Sequence, residues 1–363
     1  KENMQLGGYT LISNLLSKIK KSEKFQEGSY IFKTKDVVKK FMVKLLSLLN
    51  EHFPNETILK LVITIPEREN VIVDLLKNIL AELGIRNDRL VILGHKQSYM
   101  YYAVSQPKEL WANSVGLFEF DEMGLRYTNL TVDKRTIPYI VGADVHDLSD
   151  IMPYSVLQEK GDVKYMFLNT ANTMLHKKMV TTIYVTGKGF DQRWATDALK
   201  ELCNGRRVFR GQNLFNKGAA YAARMLTDRE KTKEFIFLDD DMLTSDISIR
   251  TYHNAKMHDV VLAKAGTLWS DIDESIDIIP DNEDEIQITD KNVLTRETRA
   301  HILSLSGFAV RDNKTTRFTV RIRFADQYTC IVTLKDNGFG EFYPSTNRIW
   351  ERYIKINGAD SKN

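Results

Sequence analysis

The sequence predicts an α/β domain followed by an all-β domain, and three observations carry that expectation. Continuous apolar runs, such as residues 59–65 (LKLVITI) and 115–120 (VGLFEF), alternate with stretches of helical periodicity over the first part of the chain. Such runs suit buried strands of a mixed sheet covered by helices. From about residue 240 onward the apolar spacing changes from a period of about 3.6 to about 2, the alternation of strands with one covered face. Between the two lies a charged stretch, residues 227–234 (TDREKTKE), expected to form a solvated turn.

In chain order, residues 11–19 and, more clearly, 36–53 repeat apolar side chains at helical spacing (Val37, Val38, Phe41, Met42, Leu45, Leu46, Leu49). The run at 59–65 is a strand closed by Pro66. Residues 71–83 form a helix with Gly84 just past its end, the usual place for a residue of left-handed backbone. A short strand at 90–93 precedes a helix rich in tyrosine (Tyr99, Tyr101, Tyr102), expected to be core. The strand at 115–120 has a hairpin partner at 125–132. Ile183-Tyr184-Val185 is a buried strand, Thr186-Gly187-Lys188-Gly189-Phe190 a glycine turn, and Trp194, Ala198, Leu199 and Leu202 mark the next helix. Arg206, Arg207 and Arg210 flank a strand at Val208-Phe209, and residues 218–223 (GAAYAA) are small enough for a helix to pack closely. The second half brings strands at 247–252, 260–263, 275–288, 302–305, 318–324 (FTVRIRF) and 329–334 (TCIVTL).

Composition narrows the function classes. Of 363 residues, 51 are basic and 48 acidic, a net charge of +3 that gives no general attraction to nucleic acid or membrane. No apolar run is long enough to span a bilayer, and no basic-then-apolar leader opens the chain. Two cysteines far apart, Cys203 and Cys330, fit a reducing cytoplasm, each expected as a small core residue. Seven histidines lack metal-ligand spacing, and the acidic stretch 271–290 lacks the glycine and terminal glutamate of a calcium loop, so no metal site is expected.

A strand, a Gly-x-Gly turn and a helix make a nucleotide-site shape, because helix N-termini and bare amides attract anions. The third glycine and the later acid of the dinucleotide fingerprint are missing here. The order of parts, from the Thr186 to Phe190 turn through Arg206-Arg207-Val208-Phe209 to the Gly218 helix, resembles the adenosine-side segment of the actin and heat-shock ATPase superfamily. Val62-Ile63-Thr64-Ile65-Pro66 is similar to that family's strand-proline element, and residues 118–124 (FEFDEMG) to its second phosphate hairpin. The later half resembles the peptide-binding β-sandwich of DnaK-type chaperones. Phe235 to Asp239 looks like the hydrophobic linker, and residues 303–308, 319–324 and 331–336 look like later sandwich strands. The resemblance spans roughly residues 10 to 345 and extends to a bacterial DnaK-like family with degenerate phosphate motifs. It implies a nucleotide-binding-like domain over residues 1–234 that lacks its first strands. A linker at 235–240, a sandwich at 241–350 and a tail at 351–363 follow.

The resemblance also shows where the chemistry departs. No Asp-x-Gly-Thr hairpin precedes Leu11, so that element is absent or belongs outside this chain, which opens on Lys1. The second hairpin carries Glu119, Asp121 and Glu122 where glycine amides would cradle phosphate. Like charges about 4 Å apart repel by a few kcal/mol in partly buried surroundings. His95 falls at the position of the family's catalytic glutamate, and Lys18 is nearest to its phosphate lysine. Hydrolysis by the usual route is therefore not expected, and no catalytic residue is assigned. Candidate contacts for ATP or ADP with Mg²⁺ are Glu119, Asp121, Gly124, Thr186, Gly187, Gly189 and Phe190; the alternative for the turn is packing alone. Candidate peptide contacts, by resemblance, are Met257, Ile276, Ile278 and Ile286, with sandwich core as the alternative. The expected function is a chaperone-like or adaptor protein that binds an extended apolar client segment, with neither nucleic acid nor membrane as partner. An active ATPase and a scaffold that binds neither ATP nor peptide are the alternatives.

Overall fold

The computed structural model describes residues 11–135, 137–158, 161–228, 230–239, 241–253, 256–282, 284–308 and 311–356. Helix makes up 31% and strand 37%, so the protein is mixed α/β with several sheets. It divides into two compact units, one of Lys1–Val132 with Ala143–Glu234, the other of Asp133–Gly142 with Phe235–Asn363.

The first unit opens with α1 (Leu15–Lys21), a hairpin of β1 (Lys24–Glu27) and β2 (Tyr30–Lys33), and α2 (Thr34–His52). Next come β3 (Leu61–Ile65), α3 (Asn70–Glu82), β4 (Leu90–Gly94) and α4 (His95–Val104). Strands β3 and β4 pair in parallel. On α3, Ile72, Val73, Leu76, Ile79 and Leu80 recur on one face and bury it against Ile65 and Ile92, each worth about 1.5–3 kcal/mol of transfer free energy. Helix α4 is buried on nearly all sides, which explains its tyrosines: Tyr99 and Tyr101 are core, and the Tyr99 hydroxyl donates to the Val115 carbonyl at 3.1 Å. Tyr102 is half-buried and meets the Tyr184 ring edge-on.

The larger sheet of this unit begins with β5 (Ser114–Asp121), antiparallel to β6 (Gly124–Asp133). The chain continues through β7 (Tyr139–Asp147), whose residues 143–147 belong to this unit, and α5 (Val163–Leu175). Strand β8 (Val180–Thr186) then pairs in parallel with β5. After α6 (Arg193–Leu202), β9 (Arg207–Arg210) extends the sheet in parallel with β8, and α7 (Leu214–Thr227) packs on α4. A Cβ on Gly218 of α7 would sit 1.9 Å from the Ser98 carbonyl oxygen of α4, so only glycine allows that approach. Neither β7 nor α5 was expected from the residue pattern.

In the second unit, residues 139–142 pair in parallel with β10 (Phe235–Leu238). The stretch expected as a linker is thus a strand with a half-buried to buried face, and Asp240 lies outside the described residues. Two four-stranded antiparallel sheets follow. One has the order β12-β11-β14-β15, from β11 (Ser245–His253), β12 (Lys256–Ala263), β14 (Glu285–Asn292) and β15 (Thr298–Ser304). The other has the order β13-β16-β17-β18, from β13 (Asp273–Ile278), β16 (Phe318–Asp326), β17 (Thr329–Asp336) and β18 (Ile349–Lys355). Their inner faces share one core that includes Ile249, Ile288, Val320, Ile322 and Val332, a sandwich-like arrangement. The alternating run 275–288 is therefore two strands in different sheets, broken after Ile278 near Pro280. The expected tail supplies most of β18, and residues 357–363 lie outside the described set.

One buried ion pair ties down the β17 end. The Arg311 guanidinium donates to both oxygens of the fully buried Asp336 at 2.8 Å, and the Gly338 and Thr346 amides donate at 2.8 and 3.1 Å. Cys330 is buried in the core as expected, whereas Cys203 is exposed beyond the end of α6.

Candidate functional site

The carboxyl ends of β4, β5 and β8 bring the expected nucleotide-site residues together. In α/β folds this end of the strands is where ligands are usually held. Strand β4 ends at Gly94, so His95 is the first residue of α4; its ring stacks on Phe215 of α7 with centroids 3.8 Å apart. Strand β5 delivers Glu119 and Asp121, and its parallel register with β8 sets Glu119 beside Thr186.

Arg126 was not foreseen and dominates the site. The tight hairpin turn at Glu122-Met123 pairs Asp121 with Gly124 and so sets Arg126 directly across from Glu119. Arg126 Nη2 lies 3.2 Å from Glu119 Oε1 and 3.6 Å from Asp121 Oδ2, while His95 Nδ1 is 3.7 Å from Glu119 Oε1. Counting residues back from that turn would have revealed the pair. Burial opposes the charge on Glu119, yet His95 and Arg126 beside it hold its carboxyl below the usual glutamate value. Burial pushes Asp121 up and the Glu119 carboxylate adds to the rise, against the Met123 amide, which donates to Asp121 Oδ1 at 2.9 Å, and Arg126. Both carboxylates thus face a cation from the protein itself. A triphosphate would meet two acids about Arg126, and unit charges about 4 Å apart at an effective dielectric near 20 interact by about 4 kcal/mol.

The glycine turn is filled by protein. Gly187 has φ 102°, and a Cβ there would lie 2.2 Å from the Phe120 carbonyl oxygen; one on Gly189 would lie 2.5 Å from the Phe120 ring. What approaches this backbone is strand β5. Phe190, a candidate nucleotide contact, is 1% exposed and sits among Phe120, Phe167 and Trp194, so it leaves the candidate set. Thr186 is half-buried at the end of β8, and Gly124 opens β6 beneath Ser149. Above the turn, Lys188 Nζ donates to Glu122 Oε1 at 3.3 Å, and Arg210 is paired with Asp191. Lys18 is paired with Glu27 and sits 4.6 Å over the Phe25 ring. A shallow depression lined by Glu109, Thr181, Cys203 and Arg207 lies at the amino end of β8, away from Thr186.

In the second unit, the peptide candidates separate. Ile286 lies in the interior strand β14, 6% exposed within the shared core, and leaves the candidate set. Ile276 and Ile278 are half-buried on β13, an edge strand. Met257 is exposed on β12, the edge strand of the other sheet, opposite Tyr252. Strands β12 and β13 touch, and among the described residues each pairs on one side only; Val260, Leu262, Ile276 and Ile278 are half-buried on them and pack against the shared core.

Comparison with known sequences gives two matches. Residues 1–240 match the sequence family described as "Family of unknown function (DUF5716) C-terminal". The chain belongs to that family. Residues 242–356 match the "Domain of unknown function (DUF8552)", so in this DUF5716 member the sandwich-like part is a separate sequence domain. No curated protein matches the chain. Among the described residues no helix is long and apolar enough to cross a membrane.

Proposed function

We propose that this protein is a heat-shock-like, non-hydrolysing binder of extended polypeptide, with its client site on the sandwich-like unit. The observation that carries the reading is the contact of β12 with β13, each an edge strand among the described residues. An extended client can pair its backbone with the bare edge of β12 while its alternate side chains enter between Val260, Leu262, Ile276 and Ile278. The half-exposure of these aliphatic side chains at the rim of the core supports this, since a client could cover what the core leaves open. On β13, Asp273 is paired with Arg321 and Asp277 accepts from Thr319, so the exposed Glu274 is the acid that favours a client with a basic flank. In the first unit, the pairing of Glu119 and Asp121 with Arg126 and the filled Gly187 turn support a domain that no longer needs ATP or Mg²⁺.

The test is fluorescence anisotropy with a labelled, extended apolar peptide. The double variant Ile276→Ala, Ile278→Ala is expected to bind about tenfold more weakly, the loss of about 1.4 kcal/mol. Ile349→Ala, on the opposite edge strand β18, is expected to bind as the parent does. Equal weakening by Ile349→Ala would refute the placement.

A further inference from the structure

We infer that the depression at the amino end of β8 is an anion site, which holds the phosphate group of a small molecule between Arg206 and Arg207. It lies in the first unit, and the inference does not depend on the client site proposed above. It is also apart from the Glu119 cluster, because Thr181 and Thr186 stand at opposite ends of β8, about 16 Å along the strand. The depression has a volume of about 540 Å³ and is lined by Glu109, Asn113, Thr181, Cys203, Arg206 and Arg207. Sites for small molecules are commonly of that size.

Local structure places the polar groups. The chain leaves α6 through a turn in which the Arg206 amide donates to the Cys203 carbonyl at 3.2 Å, so both residues line the same hollow. Gly205 between them has φ 72° and open space where a Cβ would stand. Arg207 opens β9, and its Nη1 donates to the Glu109 carbonyl oxygen at 3.3 Å, which fixes the guanidinium. On β8, Val180 pairs with Ser114 and Thr182 with Val115, so Thr181 is the extra residue of a β-bulge. Bulges re-aim a side chain beside a site, and here Thr181 lines the hollow.

Charge decides the occupant. Among the described residues, no acid pairs with Arg206. Its charge reaches the buried Tyr127 hydroxyl and favours the ionised form, against burial. Lys178 Nζ lies 5.7 Å over the same ring, also without an acid partner among the described residues. Cations gathered about one ring repel each other, and an anion beside them relieves that repulsion. Of the lining residues Glu109 alone is acidic, and its exposed carboxylate pairs with neither arginine. One guanidinium fork is enough for a carboxylate. A phosphate group carries about two charges and three acceptor oxygens, enough for both arginines with Thr181 and Asn113. The remaining volume leaves room for the body of the molecule that bears it.

Cys203 lines the hollow and serves as the reporter. The full chain is alkylated with iodoacetamide, a neutral reagent, and Cys203 is followed by mass spectrometry. Inorganic phosphate at about ten times its Kd is expected to slow the labelling about tenfold against sodium chloride of equal ionic strength. Arg206→Gln is expected to raise the phosphate concentration for half-protection about tenfold. Arg86→Gln, at an exposed arginine paired with Asp88, is expected to leave it unchanged. Unchanged hydrogen exchange of the β5 and β8 amides shows that each variant is folded. Three results would overturn the inference. The first is protection by phosphate no greater than by chloride. The second is the same half-protection concentration in Arg206→Gln as in the parent. The third is equal protection by succinate, which would give the arginines to a carboxylate such as an acidic side chain.

Discussion

Gly187→Ala is the perturbation that best separates a packing turn from a ligand turn. The backbone at Gly187 has φ 102° and ψ 154°, a region that is nearly glycine-only and costs about 1–3 kcal/mol for other residues. The added Cβ would also lie 2.2 Å from the Phe120 carbonyl oxygen and 2.7 Å from its carbon. Phe120 belongs to β5, which is paired on both sides, with β6 and with β8, so it cannot yield without loss of sheet hydrogen bonds. Overpacking of that kind adds about 1–3 kcal/mol. The expected total is about 2–6 kcal/mol. Gly205→Ala is the control, since Gly205 has φ 72° with nothing within 4 Å of an added Cβ. It carries backbone strain alone, about 1–2 kcal/mol. Stability is read from hydrogen exchange of the β5 and β8 amides in rising urea, which isolates the first unit. A Gly187→Ala protein no less stable than Gly205→Ala would refute the packing account, and an accompanying loss of ATP binding would return the turn to a ligand role.

Other consequences follow from the charged groups and thiols. The folded-state pKa of Asp121 is raised, so its ionised form costs stability above that pKa. The cost fades as pH falls toward the ordinary aspartate value of about 3.9. Asp121→Asn, which can still accept from the Met123 amide, is expected to raise the melting temperature at neutral pH. The gain should vanish in acid, and a gain that is constant with pH would contradict the burial argument. Asp336→Ala leaves the Arg311 guanidinium buried without its carboxylate and is expected to cost about 3–5 kcal/mol, measured by denaturant melting of the second unit. A loss below about 1 kcal/mol would mean that solvent reaches Arg311. Burial pushes the Cys330 thiol up to about 12, so a maleimide is expected to modify Cys203 in the native protein and Cys330 only after unfolding. Equal labelling by mass spectrometry would contradict the core position.

Legibility in the sequence followed physical cause. The LKLVITI strand, the helix ending before Gly84 and the FEFDEMG hairpin were readable because apolar periodicity and turn residues act over a few positions. Strand β7 was not, because its apolar start, Tyr139-Ile140-Val141, is broken by Gly142 and interrupted by Asp144, His146 and Asp147. Helix α5 is an element the sequence reading lacked, although Phe167, Ala171 and Leu175 repeat every four residues along it. Phe235–Leu238 has the composition of a linker or of a strand, and only pairing with residues 139–142 decides between them. At the candidate site, Glu119 and Asp121 were legible as acids at a phosphate position. Their partner Arg126 was hidden by a search confined to the turn. Phe190 looked like a ring beside a glycine turn, and its burial depends on α5, an element the sequence reading lacked.

The most direct measurement is the Kd of the labelled apolar peptide for this chain, taken with and without ATP and Mg²⁺. The account predicts measurable binding with the same Kd in both, within about twofold, because nothing in the Glu119–Arg126 site need respond to nucleotide. A nucleotide-linked change of tenfold or more, a coupling of about 1.4 kcal/mol, would contradict it in favour of an ATP-driven chaperone. No binding in either condition would contradict it in favour of a scaffold.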